Sequence, residues 1–254
     1  MVEYAFRDRE LNAVEFERLR LMLSSFRDGS GQVILKGTNH SMPGFRDFER
    51  SLAAAVGGET PENKGIFDIY VPSEPTPFGI SCKMSRMQPP RSNCSFMELS
   101  NSAAKFRACL DAGQINEREE PHRAGAAIVE LVGSWHSALK EAVDLSSSLF
   151  VILAHSSNWE KFQLLTFPLN LEIADPKIDV TWLYEGASLN GYIGQGAERH
   201  RLWQCYLNSG GQLKYFPLLE WAGWTSGLFH LEMPPTTTPF GKAQDYFPDL
   251  RPSD

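Results

Sequence analysis

Residues 65–84 read Gly-Ile-Phe-Asp-Ile-Tyr-Val, then Pro-Ser-Glu-Pro-Thr-Pro, then Phe-Gly-Ile-Ser-Cys-Lys-Met, and the fold prediction starts from these three segments. The first and third segments are rich in β-branched and apolar residues, a composition typical of β-strands. The prolines between them interrupt any regular element and are typical of a turn. The sequence therefore predicts a β-hairpin, with one strand over 65–71 and its partner over 78–84.

Two charged side chains are expected to meet within this hairpin. With the turn centred on Pro75, Asp68 lies across from about Cys82. Because side chains alternate along a strand, Ser81 and Lys83 share one face and Cys82 takes the other. The Asp68 carboxylate and the Cys82 carbonyl suit a hard divalent cation, and Lys83 suits the steering of a water towards a phosphodiester. The pattern indicates a metal-dependent nuclease centre.

Asp68 and, thirteen positions later, the run Ser81-Cys82-Lys83 resemble the core motif of the PD-(D/E)XK nucleases. The resemblance covers roughly residues 44–110. It implies an α/β fold with a restriction-endonuclease-like central mixed β-sheet flanked by helices, and Mg²⁺-dependent hydrolysis of phosphodiester bonds in duplex DNA. The chain departs from the motif in two places, since Phe67 stands where the family often has proline and Ser81 where it has its second acid.

One branch of the family, the type II restriction endonucleases that cut CCGG and CCNGG sites, also lacks that acid and takes a glutamate from the following helix. In that branch the glutamate lies about a dozen residues past the lysine; Glu98, fifteen positions past Lys83, is the corresponding residue here at a slightly longer spacing. The resemblance implies a catalytic set of Asp68, Lys83, Glu98 and Ser81, with Asp68, Glu98 and Cys82 as metal ligands. Ser95 and Glu98 also form a capping-box pattern, so the alternative role of Glu98 is to cap a helix.

Two other glutamates and one histidine are candidates for the same site. Glu74, in the predicted turn, is a spare metal ligand. Glu49 lies on a predicted helix, Phe45–Val56, and the resemblance implies that it can approach the metal as an accessory residue; the alternative is a solvated helix face. His40 lies in a Gly/Asn/Ser loop. A histidine in such a loop is more often a turn residue than a catalytic residue.

The loop after the lysine strand is a candidate DNA-binding segment. Its run Arg91-Ser92-Asn93 is similar to the Arg-Ser-Asp-Arg segment with which the CCGG-cutting enzymes read guanine, although asparagine replaces aspartate and the second arginine is missing. An arginine fork matches the two major-groove acceptors of guanine. Arg86, Arg91, Ser92 and Asn93 are therefore predicted DNA-binding residues, with phosphate contact or plain surface as the alternatives.

Composition bounds the class of protein. A chain of 254 residues with 42% hydrophobic residues can bury a sizeable core, and we expect a single restriction-endonuclease-like domain over 1–254. Its expected parts are an N-terminal helical cover (about 1–30), the nuclease core (about 44–185) and an aromatic-rich C-terminal β region (about 186–254). The absence of a membrane-length apolar run and of a signal-peptide pattern favours the cytoplasm.

Charge and cysteine usage point to an oxygen-ligated metal and a local DNA surface. The net charge of -7 argues against a protein that coats nucleic acid by bulk electrostatics, but from residue 81 to residue 109 five basic residues accompany one acid, Glu98. The four cysteines form no Cys-x-x-Cys pair, which predicts reduced thiols and no zinc site.

Periodicity predicts the remaining elements. The predicted helices are Glu10–Phe26, Phe45–Val56, Ser95–Leu110 and Ala126–Val143, and the predicted strands are 32–36, Leu149–His155, Phe162–Phe167 and Ile178–Tyr184. The glycine-rich segment 186–196 lacks a phosphate-binding motif and is interpreted as a flexible loop. The aromatic tail, residues 199–224, suits a DNA-facing hairpin, a dimer seam or plain core.

Together these features predict a Mg²⁺-dependent type II restriction endonuclease that acts on duplex DNA as a homodimer, with no membrane association. A DNA repair or phage-defence nuclease on the same core is one alternative. The other is a DNA-binding protein that has lost catalysis, a hypothesis motivated by Ser81 at the position of the missing acid.

Overall fold

The computed structural model describes residues 3–36, 40–62, 65–89, 92–169, 179–208, 211–235 and 238–247. The helices are α1 (Ala13–Ser25), α2 (Phe45–Val56), α3 (Ala103–Ala112), α4 (Pro121–Ser137) and α5 (Pro239–Tyr246). The strands are β1 (Val33–Ile34), β2 (Ser41–Met42), β3 (Ile69–Val71), β4 (Phe78–Arg86), β5 (Met97–Ser100), β6 (Leu149–His155), β7 (Phe162–Pro168), β8 (Thr181–Glu185), β9 (Ser188–Ile193), β10 (His200–Tyr206), β11 (Leu213–Tyr215) and β12 (Trp224–Phe229).

The central sheet is mixed and has the strand order β12-β7-β6-β4-β3. The predicted hairpin is present, because β3 pairs with β4 in antiparallel fashion, with Val71 opposite Phe78. Strand β4 runs parallel to β6 over the whole length of β6, whereas β6 and β7 are antiparallel. The α/β class predicted from the sequence is therefore confirmed.

A second, fully antiparallel sheet has the order β5-β11-β10-β9-β8. It corrects two predictions. The helix predicted from Ser95 begins only at Ala103, since residues 97–100 form β5 and pair with β11. The glycine-rich segment interpreted as a flexible loop contains β9, which lies between β8 and β10 in the sheet.

Two hydrophobic cores lie on opposite faces of the central sheet. Along β6, Val151 and Leu153 point into the core shared with α1 and α2, whereas Phe150 and Ile152 point into the core shared with α3, α4 and the second sheet. This alternation is the period-2 pattern of a strand buried on both faces. Burial on both faces explains why the sequence of β6 is apolar almost throughout.

The helix ends follow from local hydrogen bonding. Helix α2 has the predicted bounds: the Asp47 carboxylate accepts a hydrogen bond from the Gly44 amide (2.9 Å), and Gly57 ends the helix at a φ of 70°. Helix α1 is capped by Asn12 and is shorter than predicted, and α4 begins earlier, with Pro121 in its first turn. The described helices include none long and apolar enough to cross a membrane.

Candidate active site

The hairpin places Asp68 at the open end of β3. The Asp68 amide donates to the Ile80 carbonyl (3.0 Å), and its carboxylate oxygen Oδ2 accepts a hydrogen bond from the Cys82 amide (2.8 Å). Continuing the register from Ile69 and Ile80 puts Asp68 opposite Ser81, one residue from the predicted position. The amide and the carbonyl of one strand residue point to the same side, so the Cys82 carbonyl points to the edge where Asp68 lies.

Side-chain alternation along β4 is as predicted. Ser81 and Lys83 line a cavity on one face of the sheet, and the Cys82 side chain is buried in the core on the other face. All four cysteines are free thiols, as expected. The hairpin therefore brings Asp68, Ser81 and Lys83 to one cavity.

This cavity has a volume of about 620 Å³ and lies between the hairpin, β5, α3 and α4. Its polar lining consists of Asp68, Tyr70, Ser81, Lys83, Ser100, Ser102, Lys105 and His136, and its apolar lining includes Leu99, Val132, Trp135, Leu139 and Phe150. Asp68 is the one acid among the described lining residues, against the ammonium groups of Lys83 and Lys105. The cavity is of a size and composition that suit a polar small ligand or part of a larger one.

His136, in the last turn of α4, was not singled out from the sequence. Its ring packs edge-on against Phe150, with 6.2 Å between the ring centroids. Burial lowers the pKa of His136 from the ordinary 6.5 to about 4, and the positive charge of Lys83 adds to that effect. The imidazole is therefore neutral at neutral pH and offers a hydrogen-bond donor and an acceptor to the cavity.

The structure does not bring a second acid to the cavity lining among the described residues. Glu98 lies on β5 instead of a helix, directly across from Lys214 of β11, so both the helical placement and the capping interpretation are wrong. Glu74 is exposed in the turn. Glu49 is buried, with 8% exposure, on α2, which packs on the face of the sheet that carries Ile80 and Cys82.

The described residues likewise contain no cluster of three or more histidine, cysteine, aspartate or glutamate side chains arranged to hold a metal. A divalent cation here would depend on the Asp68 carboxylate, the Cys82 carbonyl and oxygen atoms from outside the protein. That donor set suits Mg²⁺, which commonly takes one or two carboxylates, keeps several waters and uses substrate phosphate oxygens.

The candidate DNA-binding loop is described in part. Arg86 ends β4 with an exposed side chain, opposite His155 of β6, whose pKa is lowered by burial and by the Arg86 charge. The Ser92 hydroxyl lies 2.9 Å from the Cys94 thiol, and Asn93 is exposed while its carbonyl accepts from the Leu219 amide. Arg91 lies outside the described residues.

The aromatic tail contains an antiparallel hairpin of β10 with β11. Trp203 and Tyr215 point inward and are buried, with ring centroids 4.4 Å apart, which matches the core interpretation. Arg201 lies 4.9 Å from the ring of Phe216, the residue after β11, and Lys214 lies 5.1 Å from the ring of Tyr206, at the end of β10. His40 is exposed and is not part of the cavity lining.

Comparison of the chain with protein-family models, with curated proteins and with solved structures gave no match in any of the three. The cavity itself is therefore the basis for a proposed function. Of its residues, sequence reasoning identified Asp68, Ser81 and Lys83 from the hairpin and noted Lys105 as part of a basic segment. It missed His136 and Trp135, because the relation of α4 to the hairpin is a tertiary contact that no local pattern encodes.

Proposed function

We propose that this chain is a Mg²⁺-dependent endonuclease of the PD-(D/E)XK type that hydrolyses duplex DNA. The observation that carries the proposal is the meeting of Asp68 and Lys83 in one cavity, from facing strands of a hairpin. A carboxylate that can hold a metal and an ammonium that can contact a phosphate oxygen or an attacking water are two groups that metal-dependent phosphodiester hydrolysis uses in one place.

The charge of the cavity supports a polyanionic substrate. Two lysines and one described acid line it, although the whole chain carries a net charge of -7. The ion pairs between described residues include neither Lys83 nor Lys105. Both ammonium groups are therefore available to a phosphate, and association with DNA is expected to weaken as salt concentration rises.

Asp68 and the Cys82 carbonyl are the groups that would hold Mg²⁺, which when bound supplies charge stabilisation to the phosphoryl group. Lys83 donates from Nζ to a non-bridging phosphate oxygen or to the attacking water, and fixes its position. The Ser81 hydroxyl lies on the same strand face, at the motif position of the family's second acid, and offers a hydrogen-bond donor to the substrate. The neutral His136 ring adds no charge, so Lys83 and Lys105 are the cations of the described cavity lining.

The proposal extends to sequence-specific recognition, as in a type II restriction endonuclease. Arg86 is exposed at the end of the strand that carries Lys83, and it leads into the segment that holds Arg91, Ser92 and Asn93. Side chains at that end of β4 would contact the bases or phosphates next to the cleaved bond. A homodimer would match a palindromic site by its two-fold symmetry. A repair or phage-defence nuclease would use the same cavity without that symmetry.

One observation favours a second candidate, a DNA-binding protein without catalysis. Ser81 occupies the position of the second acid, and no other described acid lines the cavity to replace it. Such a protein would retain the basic cavity and bind DNA, but it would not hydrolyse it at any Mg²⁺ concentration.

The experiment that separates the two is incubation of the purified protein with mixed-sequence duplex DNA in Mg²⁺, with EDTA as the control, followed by sequencing of the fragment ends. The nuclease proposal predicts cleavage in Mg²⁺ alone, with fragment ends that share a short sequence. DNA binding without any cleavage in Mg²⁺ would select the non-catalytic protein.

A further inference from the structure

We propose that the cavity binds two consecutive phosphates of a nucleic-acid strand, the first at Lys83 and the second at Lys105 with Ser100 and Ser102. The inference rests on the proposed function in one respect, since it takes nucleic acid as the ligand. It goes beyond that function because it assigns a phosphate-binding subsite to residues of α3 and β5 that the nuclease motif does not include.

Lys105 lines the cavity, and its ammonium group lies near an aromatic ring. Its Nζ lies 5.1 Å from the ring centroid of Trp135, within the range of a cation–π interaction. Trp135 is in turn stacked on the fully buried Phe106, at 6.0 Å and an interplanar angle of 23°. A flexible lysine on the exposed side of α3 is thereby restricted to positions near the cavity.

Two hydroxyl groups lie beside Lys105 in the cavity lining. Ser100 Oγ accepts a hydrogen bond from the Ser102 amide at 3.2 Å, which leaves the hydroxyl proton of Ser100 free to donate. The Ser102 side chain, at the start of α3, makes no capping hydrogen bond. An ammonium and two hydroxyl donors in one part of a cavity form a set that suits phosphate oxygens.

The size of the cavity and its two separate ammonium groups favour two phosphates over one. The volume of about 620 Å³ lies in the range that accepts a ligand of dinucleotide rather than single-ion size. The two ammonium groups belong to different elements, Lys83 to β4 and Lys105 to α3, so each can contact its own phosphate. Asp68 offsets one of these charges and His136 is neutral, which leaves a net charge of +1 on the described lining residues.

The test compares two dinucleotides, TpT with one phosphate and pTpT with an additional 5′-phosphate, by titration without divalent cations so that neither is cleaved. The wild-type protein is expected to bind pTpT more tightly than TpT. Lys105→Met should weaken pTpT binding about tenfold, the loss expected for one charge-assisted hydrogen bond, and leave TpT binding nearly unchanged. Lys105→Arg should restore the preference for pTpT, and Lys161→Met, an exposed lysine outside the cavity, should retain it.

The proposal would be overturned if Lys105→Met weakened TpT and pTpT equally, or if it had no more effect than Lys161→Met. Cleavage assays on the same variants distinguish failure of the second phosphate subsite from failure of the proposed nuclease function. A 5′-phosphate preference that depends on Lys105 in a protein that never cleaves DNA would contradict the nuclease alone. Normal cleavage with no effect of Lys105→Met on dinucleotide binding would contradict the second phosphate subsite alone.

Discussion

At His136 the protein keeps an imidazole neutral beside an ammonium. Burial and the Lys83 charge both lower the pKa of His136, to about 4, whereas the unfolded chain has the ordinary value of 6.5. Between these two values the unfolded state binds more protons than the folded state. The stability that depends on the neutral ring is therefore fully present above pH 6.5 and is lost as the pH falls to about 4.

The lowered pKa of His136 leads to a prediction for the pH dependence of stability in His136→Gln. The loss of unfolding free energy between pH 7 and pH 4.5 should be smaller in this variant than in the wild type by about 1–2 kcal/mol, a figure reduced for the partial exposure of the ring. The measurement is urea unfolding at the two pH values. His122→Gln, at an exposed position on the same helix, is the control and should keep the wild-type difference. An unchanged pH dependence in His136→Gln would show that the ring is not desolvated.

Glu98 is the residue for which sequence resemblance and structure disagree most. The resemblance gives it a place at the metal, whereas the structure pairs it across the strands with Lys214 and outside the cavity lining. We expect Glu98→Ala to lose only the cross-strand pair, at about 0.2–1 kcal/mol of stability, and to keep its cleavage rate within about twofold of the wild type. The check is the cleavage rate as a function of Mg²⁺ concentration, alongside Asp68→Asn. Loss of cleavage in Glu98→Ala would restore Glu98 as a metal ligand.

At the scale of elements, helix α4, which lines the cavity, also packs closely against strand β8 of the second sheet. Gly125 lies directly against the indole of Trp182 on β8, and a Cβ atom at this position would overlap that ring. Gly133, two turns later on the same helix, has nothing within 4 Å of the corresponding position. Close packing therefore requires glycine at position 125, whereas the space around position 133 would accept a larger side chain.

Alanine at each position tests this difference. Gly125→Ala should lower the free energy of unfolding by about 1–3 kcal/mol, because the Trp182 ring and α4 must move apart. Gly133→Ala should raise it by about 0.5–1 kcal/mol, because alanine has the higher helix propensity. Thermal and urea unfolding of both variants provide the measurement. Equal effects in the two variants would mean that α4 does not pack on Trp182 as described.

The same elements show which parts of the fold were accessible from the sequence. The β3–β4 hairpin was predicted correctly because its strands are joined by a short proline turn, so all of the information is local. Strand β5 was mistaken for part of a helix, since Leu99 continues the helical spacing of Phe106 and Leu110 on α3. What makes residues 97–100 a strand is pairing with β11, more than 110 residues later in the chain.

The prediction for the residues of strand β9 was wrong for a different reason. Glycine lowers strand propensity, and Gly191 and Gly194 made the segment resemble a loop. In the sheet, Gly191 lies opposite Trp182, whose indole passes close to it. A glycine inside a strand often marks such a close approach, but the approaching residue is visible only in the folded molecule.

At the scale of the whole molecule, the site is assembled by three units that are distant in sequence. The hairpin contributes Asp68 and Lys83, the β5–α3 segment contributes Lys105, and α4 contributes His136. The first pair was predictable, because it depends on one local register. The positions of the other two depend on how both sheets pack against α3 and α4, and hydrophobic periodicity alone does not specify that packing.

The most direct test of the nuclease proposal is the single-turnover rate of duplex DNA cleavage in Mg²⁺ by Lys83→Met. Methionine keeps the length of the side chain and removes the charge, so folding and most DNA contacts should be retained. We predict a fall of at least about a hundredfold relative to the wild type, as expected for loss of a group that stabilises transition-state charge. Lys161→Met, an exposed lysine elsewhere, should cleave at the wild-type rate. Cleavage by Lys83→Met at the wild-type rate, or a wild-type protein that binds DNA and never cleaves it, would contradict the proposal.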